Sequence, residues 1–543
     1  MSQTQSFESL TGAVVYDRVQ TRDLQAVQAL RTVLRAGDRF RTGYEAEQLH
    51  RRLQKVLGFS GNSVNVDFYL SSVTEYNPYY ATEEVLSWLR SLNEEQYFNV
   101  EQIPLDRMEN WGFSRITRDL QHVTGGFFSI RGLSIRANCG PIRSWSQPII
   151  YQPEIGVLGI LTKKINGVLY FLMQAKAEPG NLNTFQLSPT VQATRSNYTG
   201  LHGGKPVAHL EYFLGITPEQ VLVDQLQSEQ GARFYKKRNR NMIVRVPDDL
   251  DIEVGPAFRW LTLGQVLRLI DLDNTVNMDA RSVVSCISFD PEPKVTSRPV
   301  DGRELKTCLE SSRLIEAPIS PFAIDLMLSA HSNSLPHHSL DQLICKLTSE
   351  KFNSELSSEL IPLGDVDQWN ISPTEISHES GRYFSVIGVR VEAASREVSS
   401  WDQPILRQRS EGLVGFIARP INGVMHFLVQ MRVECGNMDI LELAPTVQCI
   451  TDSYAEGELP PYTEYFTDPS GRRVVFESMQ SEEGGRFYQE ANRNLIVLSD
   501  DELPLNGNPA YVWMTLYQLK GFIKYNNYLN VEARSLLSCL RMV

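Results

Sequence analysis

Six arginines recur in pairs with a constant separation of 253 residues: Arg233 and Arg486, Arg240 and Arg493, Arg281 and Arg534. Guanidinium forks at repeated positions suit a diphosphate, which they bond bidentately. The same side chains would equally serve as ion-pair partners of Glu229, Glu482 or Glu483 nearby in the sequence. Trp145 with Trp401 and Tyr198 with Tyr454 offer faces on which a base could stack, or simply core volume. His122 and His378, each a few residues ahead of a Gly-x-Phe/Tyr-Phe-Ser string, are groups that titrate near neutrality.

These residues belong to a long internal repeat. The segment from Gly180-Asn181-Leu182-Asn183 to Thr190-Val191-Gln192 returns as Gly436-Asn437-Met438-Asp439 to Thr446-Val447-Gln448, an offset of 256. His122, Trp145, Glu178 and Tyr198 meet His378, Trp401, Glu434 and Tyr454 at the same offset. Further on, Gln227-Ser228-Glu229 matches Gln480-Ser481-Glu482, and Arg233-Phe234-Tyr235 matches Arg486-Phe487-Tyr488. Polar and aromatic identities in register over such a length mark a duplication.

Several chemistries find no signature. The chain has no Gly-x-Gly-x-x-Gly after a strand, no phosphate-loop Gly-Lys-Ser/Thr motif, no nucleophile elbow and no His-Glu-x-x-His. The loop Gly200–Lys205 fits no phosphate-loop spacing, and His331, His337 and His338 have no partners at metal-ligand spacing. Neither a metal site nor a nicotinamide site is readable. Seven cysteines without a Cys-x-x-Cys pair argue against a disulfide framework, so the sequons at Asn197 and Asn370 read as chance. A net charge of −12 speaks against a nucleic-acid surface. Apolar runs such as Val168–Met173 and Val424–Gln430 are too short to span a bilayer, and Met1–Ser9 lacks the layout of a secretion signal. The expected location is the cytoplasm.

The elements that must carry the motifs are a mixed α/β (α+β) set. Val157–Lys163 and Leu169–Gln174 read as strands joined at Asn166-Gly167, a strong hairpin signal that recurs at Asn422-Gly423. Thr262 and Thr515 precede apolar helical stripes, and Asn277 and Asn530 stand where caps of short helices belong. The expected organisation is an N-terminal helical segment over 1–75, with a stripe at Leu24, Val27, Leu30 and Leu34. A first module over 76–290 follows, then a proline-rich connector over 291–340 and a second module over 341–543.

The Gly180–Tyr198 string, its partner Gly436–Tyr454, and the Gln-Ser-Glu-x-Gly-x-Arg-Phe-Tyr strings followed by Asn-Arg-Asn resemble the NDP-hexose 2,3-dehydratases of deoxysugar and antibiotic pathways. The resemblance covers about 80–290 and 345–543. It implies a tandem pair of Nudix-like modules, although the complete Nudix signature with its metal-binding glutamates is missing. It also implies a homodimer acting without cofactor on a dTDP-linked 4-keto-6-deoxyhexose, with a separate 3-ketoreductase taking the product. In such a reaction the C4 ketone acidifies the C3 proton, a base forms the enolate, and the C2 hydroxyl leaves with help from an acid.

Within that resemblance the halves differ: Asn183 and Gln186 of the first become Asp439 and Glu442 of the second. The expectation is Asp439 or Glu442 as base and His378 or Tyr454 as acid. Trp401, Asn437, Thr446, Gln448, Arg486, Arg493 and Arg534 would then bind substrate. The first half would supply a second nucleotide-sugar site from His122, Trp145, Asn181, Thr190, Gln192, Tyr198, Arg233, Arg240 and Arg281. The converse arrangement stays open, because Tyr198, His202, Lys205 and His209 give the first half a titratable set of its own. Two rivals are a metal-dependent diphosphate hydrolase and a nucleotide-sugar-binding protein that has lost catalysis.

Overall fold

A computed structural model describes residues 43–542 apart from 59–62, 141, 199–205, 290–299, 316–317, 332–334, 395, 397, 456 and 500–502. The Leu24–Leu34 stripe, His202 and Lys205 lie outside the described residues. Each half builds a seven-stranded sheet around a hairpin. In the first, Gly156–Ile165 and Val168–Ala177 turn at Asn166 and Gly167, whose φ values are 51° and 81°. The second repeats this with Gly412–Ile421 and Val424–Val433, where Asn422 and Gly423 have φ of 53° and 77°. Positive φ at both turn residues is what this tight turn requires, and Asn-Gly supplies it with least strain.

Arg238–Arg245 runs parallel to Gly156–Ile165 and antiparallel to Val221–Ser228, while Phe258–Thr262 closes the other edge. Ala491–Leu498, Arg473–Ser481 and Tyr511–Thr515 repeat that order. The short strands Phe185–Ser188 and Leu441–Ala444 come from the Gly180 and Gly436 strings. Helix caps fall where their residue types indicated: Thr262 and Thr515 accept from the backbone of Gln265 and Gln518, and Asn277 and Asn530 from that of Ala280 and Ala533.

The halves are not separable. Phe98–Ile103 of the first half pairs with Ser385–Ala393 of the second, and Leu356–Ile361 of the second pairs with Ser129–Ala137 of the first. Each of the two five-stranded sheets therefore contains a strand lent by the opposite half.

The duplication also begins earlier than residue identities indicate. The helices Val64–Val73 and Pro321–Ser329 are equivalent: Ser71 Oγ donates to the Leu169 carbonyl and Ser329 Oγ to that of Met425, each at 2.6 Å. Thr82–Glu95 and Leu340–Asn353 correspond likewise, so the region expected to be a connector carries helices that mirror those before the first module. Their packing is preserved while their sequences have diverged, which hides the match from a comparison by identity. One continuous apolar core joins these helices to both large sheets.

Candidate active sites

The two repeated strings meet crosswise. The Gly180 amide donates to the Gly484 carbonyl and the Gln489 amide to the Gly180 carbonyl; Gly436 does the same with Gly231 and Lys236, all at 2.7 Å. A β-carbon on Gly180 would lie 1.6 Å from the Phe487 carbonyl oxygen, and one on Gly436 1.9 Å from that of Phe234. Only glycine permits this backbone contact. The result is two composite sites, each built on one half and completed by a loop of the other.

Arg281 and Arg534 hold this crossing together. Arg281 is fully buried and donates to Gln480 Oε1 (2.6 Å), the Ser481 carbonyl (2.6 Å), the Val276 carbonyl (3.0 Å) and Ser535 Oγ (2.9 Å). Arg534 mirrors it on the Ser228 and Leu529 carbonyls and Ser282 Oγ. Trp145 and Trp401 brace the same loops through Gln147 and Gln403, whose amides reach the Ala232 and Gly485 carbonyls.

In the second-half site, Glu434 Oε1 accepts from Arg432 Nε (3.0 Å) and Gln448 Nε2 (3.2 Å), and Asn530 Nδ2 fixes Gln448 at 2.7 Å. Glu434 Oε2 is buried with no hydrogen-bond partner. Burial raises the Tyr454 phenol and Arg432 opposes the shift; Tyr511, edge-on to Tyr462 at 5.0 Å, is pushed up to about 12 by burial against the same guanidinium. The first half contributes Gln230, which donates to Glu482 at 2.5 Å, and Arg233, stacked over Phe384 at 4.4 Å. Burial holds Glu490 up at about 8, and the neighbouring Glu482 adds to it. Burial, then Glu434 and Glu482, keep Glu532 well above the carboxylate range. Glu442 is sealed in behind. Burial raises it to about 7 against the hydrogen bond from Ser228 Oγ (2.6 Å), and its Oε1 is unpartnered.

The first-half site repeats the relay: Asn277 holds Gln192 at 3.0 Å, and Gln192 holds Glu178 at 2.9 Å. Its surroundings differ. Lys176 replaces Arg432 and binds the Gln192 carbonyl; His209 and Phe258, edge-on at 4.7 Å, replace Tyr462 and Tyr511. The second half lends Glu483 and Arg486, the latter stacked over Phe128 at 4.1 Å. Burial and Glu483 raise Glu229 to about 7, and burial with the same neighbour keeps Asp279 well above its ordinary value. Lys237 is lowered by burial, with Glu229 and Glu483 opposing.

Asp439 is exposed and ion-paired to Lys351; partial burial raises its carboxyl, but the Lys351 hydrogen bond and charge outweigh that and leave it lowered. His122 and His378 bond Thr124 and Ser380 through Nδ1 and pack edge-on against Trp111 and Trp369, with burial lowering both. His378 also meets Tyr383 at 4.7 Å, a neighbour of Tyr454. The Thr190 and Thr446 hydroxyls are buried between sheet backbone groups. Arg240 and Arg493 pair with Asp224 and Glu477. The crossing buries Asn181 and Asn437 against Gly484 and Gly231. Asn437, Gln448, Tyr454 and Glu442 thus gather at the second-half site, and Asn181 and Gln192 belong to the first, whereas Tyr198 packs against the apolar cluster around Val191 and Phe213. Sequence reasoning missed Lys176, Glu178, Lys237 and Asp279, together with Arg432, Glu434, Glu490 and Glu532. Its one available signal was the recurrence of Glu178 as Glu434, two residues past a basic position near the end of a mostly apolar strand.

Comparison with known proteins agrees with the duplication. A family model described as NDP-hexose 2,3-dehydratase matches residues 82–287 and 341–540. A dTDP-4-dehydro-6-deoxy-alpha-D-glucopyranose 2,3-dehydratase of Saccharopolyspora spinosa is 42% identical over 473 residues, covering 87% of this chain and 93% of its own. Proteins of the same name from Amycolatopsis orientalis (41% over 479 residues, 87% and 92%) and Streptomyces violaceoruber (40% over 461 residues, 84% and 96%) align similarly.

Proposed function

The chain belongs to the NDP-hexose 2,3-dehydratase family, and we propose that it removes water across C2 and C3 of dTDP-4-dehydro-6-deoxyglucose as a carbon–oxygen lyase, at its second-half site. The observation that carries the choice of site is the Arg432–Glu434 pair: Glu178 and Glu434 each keep one buried, unpartnered oxygen, but in the second half Arg432, a neighbour of Tyr454, holds the other oxygen together with Gln448, whereas Lys176 turns to the Gln192 carbonyl. A fixed carboxylate with a free oxygen beside a phenol and a guanidinium is a base, an acid and an oxyanion donor in one place.

Glu434 takes the C3 proton, and the electron pair moves onto the C4 oxygen, where Arg432 stabilises the enolate. As the enolate re-forms the ketone, the C2–O bond breaks and Tyr454 gives its proton to the departing hydroxyl. The resulting 2,3-enol tautomerises to a 3,4-diketo-2,6-dideoxy sugar, which a 3-ketoreductase would consume. The first-half site, with Lys176, Lys237 and Arg486, serves as an accessory nucleotide-sugar site. The working unit is a homodimer.

The test is to incubate EDTA-treated protein with the substrate and an NADPH-dependent 3-ketoreductase, and to follow C2 by NMR. Conversion of C2 to a methylene with loss of one water is expected. Sugar phosphate released only with magnesium would mean a hydrolase, and bound but unchanged substrate a binding protein. Glu434→Gln should lower kcat by about 10²–10⁴-fold, while Glu178→Gln should spare most of it. The reverse ranking would move the chemistry to the first half.

A further inference from the structure

At the opposite end of the Val424–Val433 strand from Arg432 and Glu434 lies a second group of cations that the dehydration does not use. Arg419 pairs across the sheet with His426 and lies over the Trp513 ring at 5.1 Å. The His337 amide donates to His426 Nε2 at 2.9 Å, the His337 and His338 rings are 4.3 Å apart, and Lys346 adds its charge to both. His426 Nδ1 donates to the Val424 carbonyl at 2.7 Å, so this ring is a neutral structural link.

The group is short of acceptors. Arg419 is 5% exposed and Trp513 1%, yet Arg419 Nε and Nη1, Trp513 Nε1 and His337 Nε2 are all buried without a hydrogen-bond partner among the described residues. A buried guanidinium without a counter-charge is costly. Burial drives His426 and His338 down to about 4, and in each the neighbouring cations add to the effect.

The first half shows what this region looks like without such a demand. Lys163 stands opposite Tyr170 where Arg419 stands opposite His426, and its Nζ is satisfied by the Leu250 carbonyl at 2.8 Å. Tyr79 and Tyr80 take the places of His337 and His338, as the matching bonds from Gln265 to the Tyr80 carbonyl and from Gln518 to the His338 carbonyl show. Trp88 takes the place of Lys346. Four aromatic residues and a satisfied lysine, with the Tyr170 hydroxyl as their buried unpartnered group, have become three histidines, a lysine and an arginine with several unfilled donors.

We propose that His337, Lys346, Arg419 and Trp513 form an oxyanion-binding site, present only in the second half, that takes a phosphoryl group. Buried, unpartnered guanidinium, indole and imidazole groups beside a lysine are the chemistry that recognises one. The phosphoryl group is either free phosphate or part of a nucleotide.

The full chain, in buffer without phosphate or sulfate, is titrated with inorganic phosphate and separately with dTDP. Calorimetry and the NMR signals of the histidine rings are followed. Saturable phosphate binding that moves the His337 signal and raises its titration midpoint is expected, weakened at least tenfold in Arg419→Gln. The His337→Gln variant, altering a half-exposed ring, should weaken binding several-fold and covers the case that Arg419→Gln does not fold. Displacement of phosphate from His337 by dTDP would identify a nucleotide as the occupant, and its absence the free ion. Absence of saturable binding, or equal affinity in wild type and both variants, overturns the proposal. Dehydratase turnover is read in parallel, so that failure of the anion site is distinct from failure of the substrate assignment.

Discussion

Glu442→Gln should stabilise the protein, and only above mildly acidic pH. The residue is 1% exposed, with its carboxyl raised to about 7, first by burial, from the ordinary glutamate value of 4.5. The unfolded chain loses this proton near 4.5, whereas the folded protein keeps it until about 7. Between those values the folded state binds more protons, so stability falls as pH rises, and the loss levels off above 7. A displacement of that size corresponds to about 3 kcal/mol at pH 8 and nothing near pH 4.5. Glutamine keeps the shape and can accept from Ser228, as Gln186 accepts from Ser481 at 2.9 Å in the mirrored position. Paired thermal melts of wild type and variant at pH 5 and pH 8 read the effect. The variant should melt several degrees higher at pH 8 and within about a degree at pH 5. A difference that is the same at both values, or a variant less stable at pH 8, would refute the argument that Glu442 is a desolvated acid.

Other substitutions probe the crossing and the surface. Gly436→Ala would place a β-carbon 1.9 Å from the Phe234 carbonyl oxygen and should cost about 1–3 kcal/mol or more, seen as a lowered melting temperature. Arg281→Met strands the Ser481 and Val276 carbonyls and Gln480, at about 1–3 kcal/mol each; a melt that shows both halves failing in one transition would confirm their interdependence. Asp439→Asn removes an exposed ion pair with Lys351 and should change stability by less than about 1 kcal/mol. Its turnover should stay within about twofold of wild type, and a collapse of kcat would return Asp439 to the reaction.

What the sequence made legible was local chemistry. Asn-Gly turns and Thr and Asn caps act over three or four residues, so their positions follow from residue types alone. The exchanged strands carry no such mark. Phe98–Ile103 and Leu356–Ile361 present an amphipathic edge that would suit either half equally, and only the tertiary arrangement selects the opposite one. Divergence hid the mirrored helices for the same reason: Tyr79-Tyr80 and His337-His338 share a backbone role but no side-chain chemistry. The recurring arginines at 281 and 534 suggested ligand forks because their acceptors are backbone carbonyls of distant chain, invisible in a linear reading. Asp279 and Glu532 sit in the first turn of capped helices, where a carboxylate needs no further explanation until burial brings other acids against it.

The exchange of edge strands has a consequence for synthesis on the ribosome. Phe98–Ile103 leaves the tunnel about 290 residues before the Ser385–Ala393 strand it must join. At ordinary elongation rates that is a wait of roughly 15–60 seconds with an unmatched strand edge exposed. The Ser129–Ala137 strand waits in turn for Leu356–Ile361. The nascent first half therefore cannot close its small sheet alone. A chain interrupted between the halves should emerge as a sticky fragment, not as a smaller enzyme.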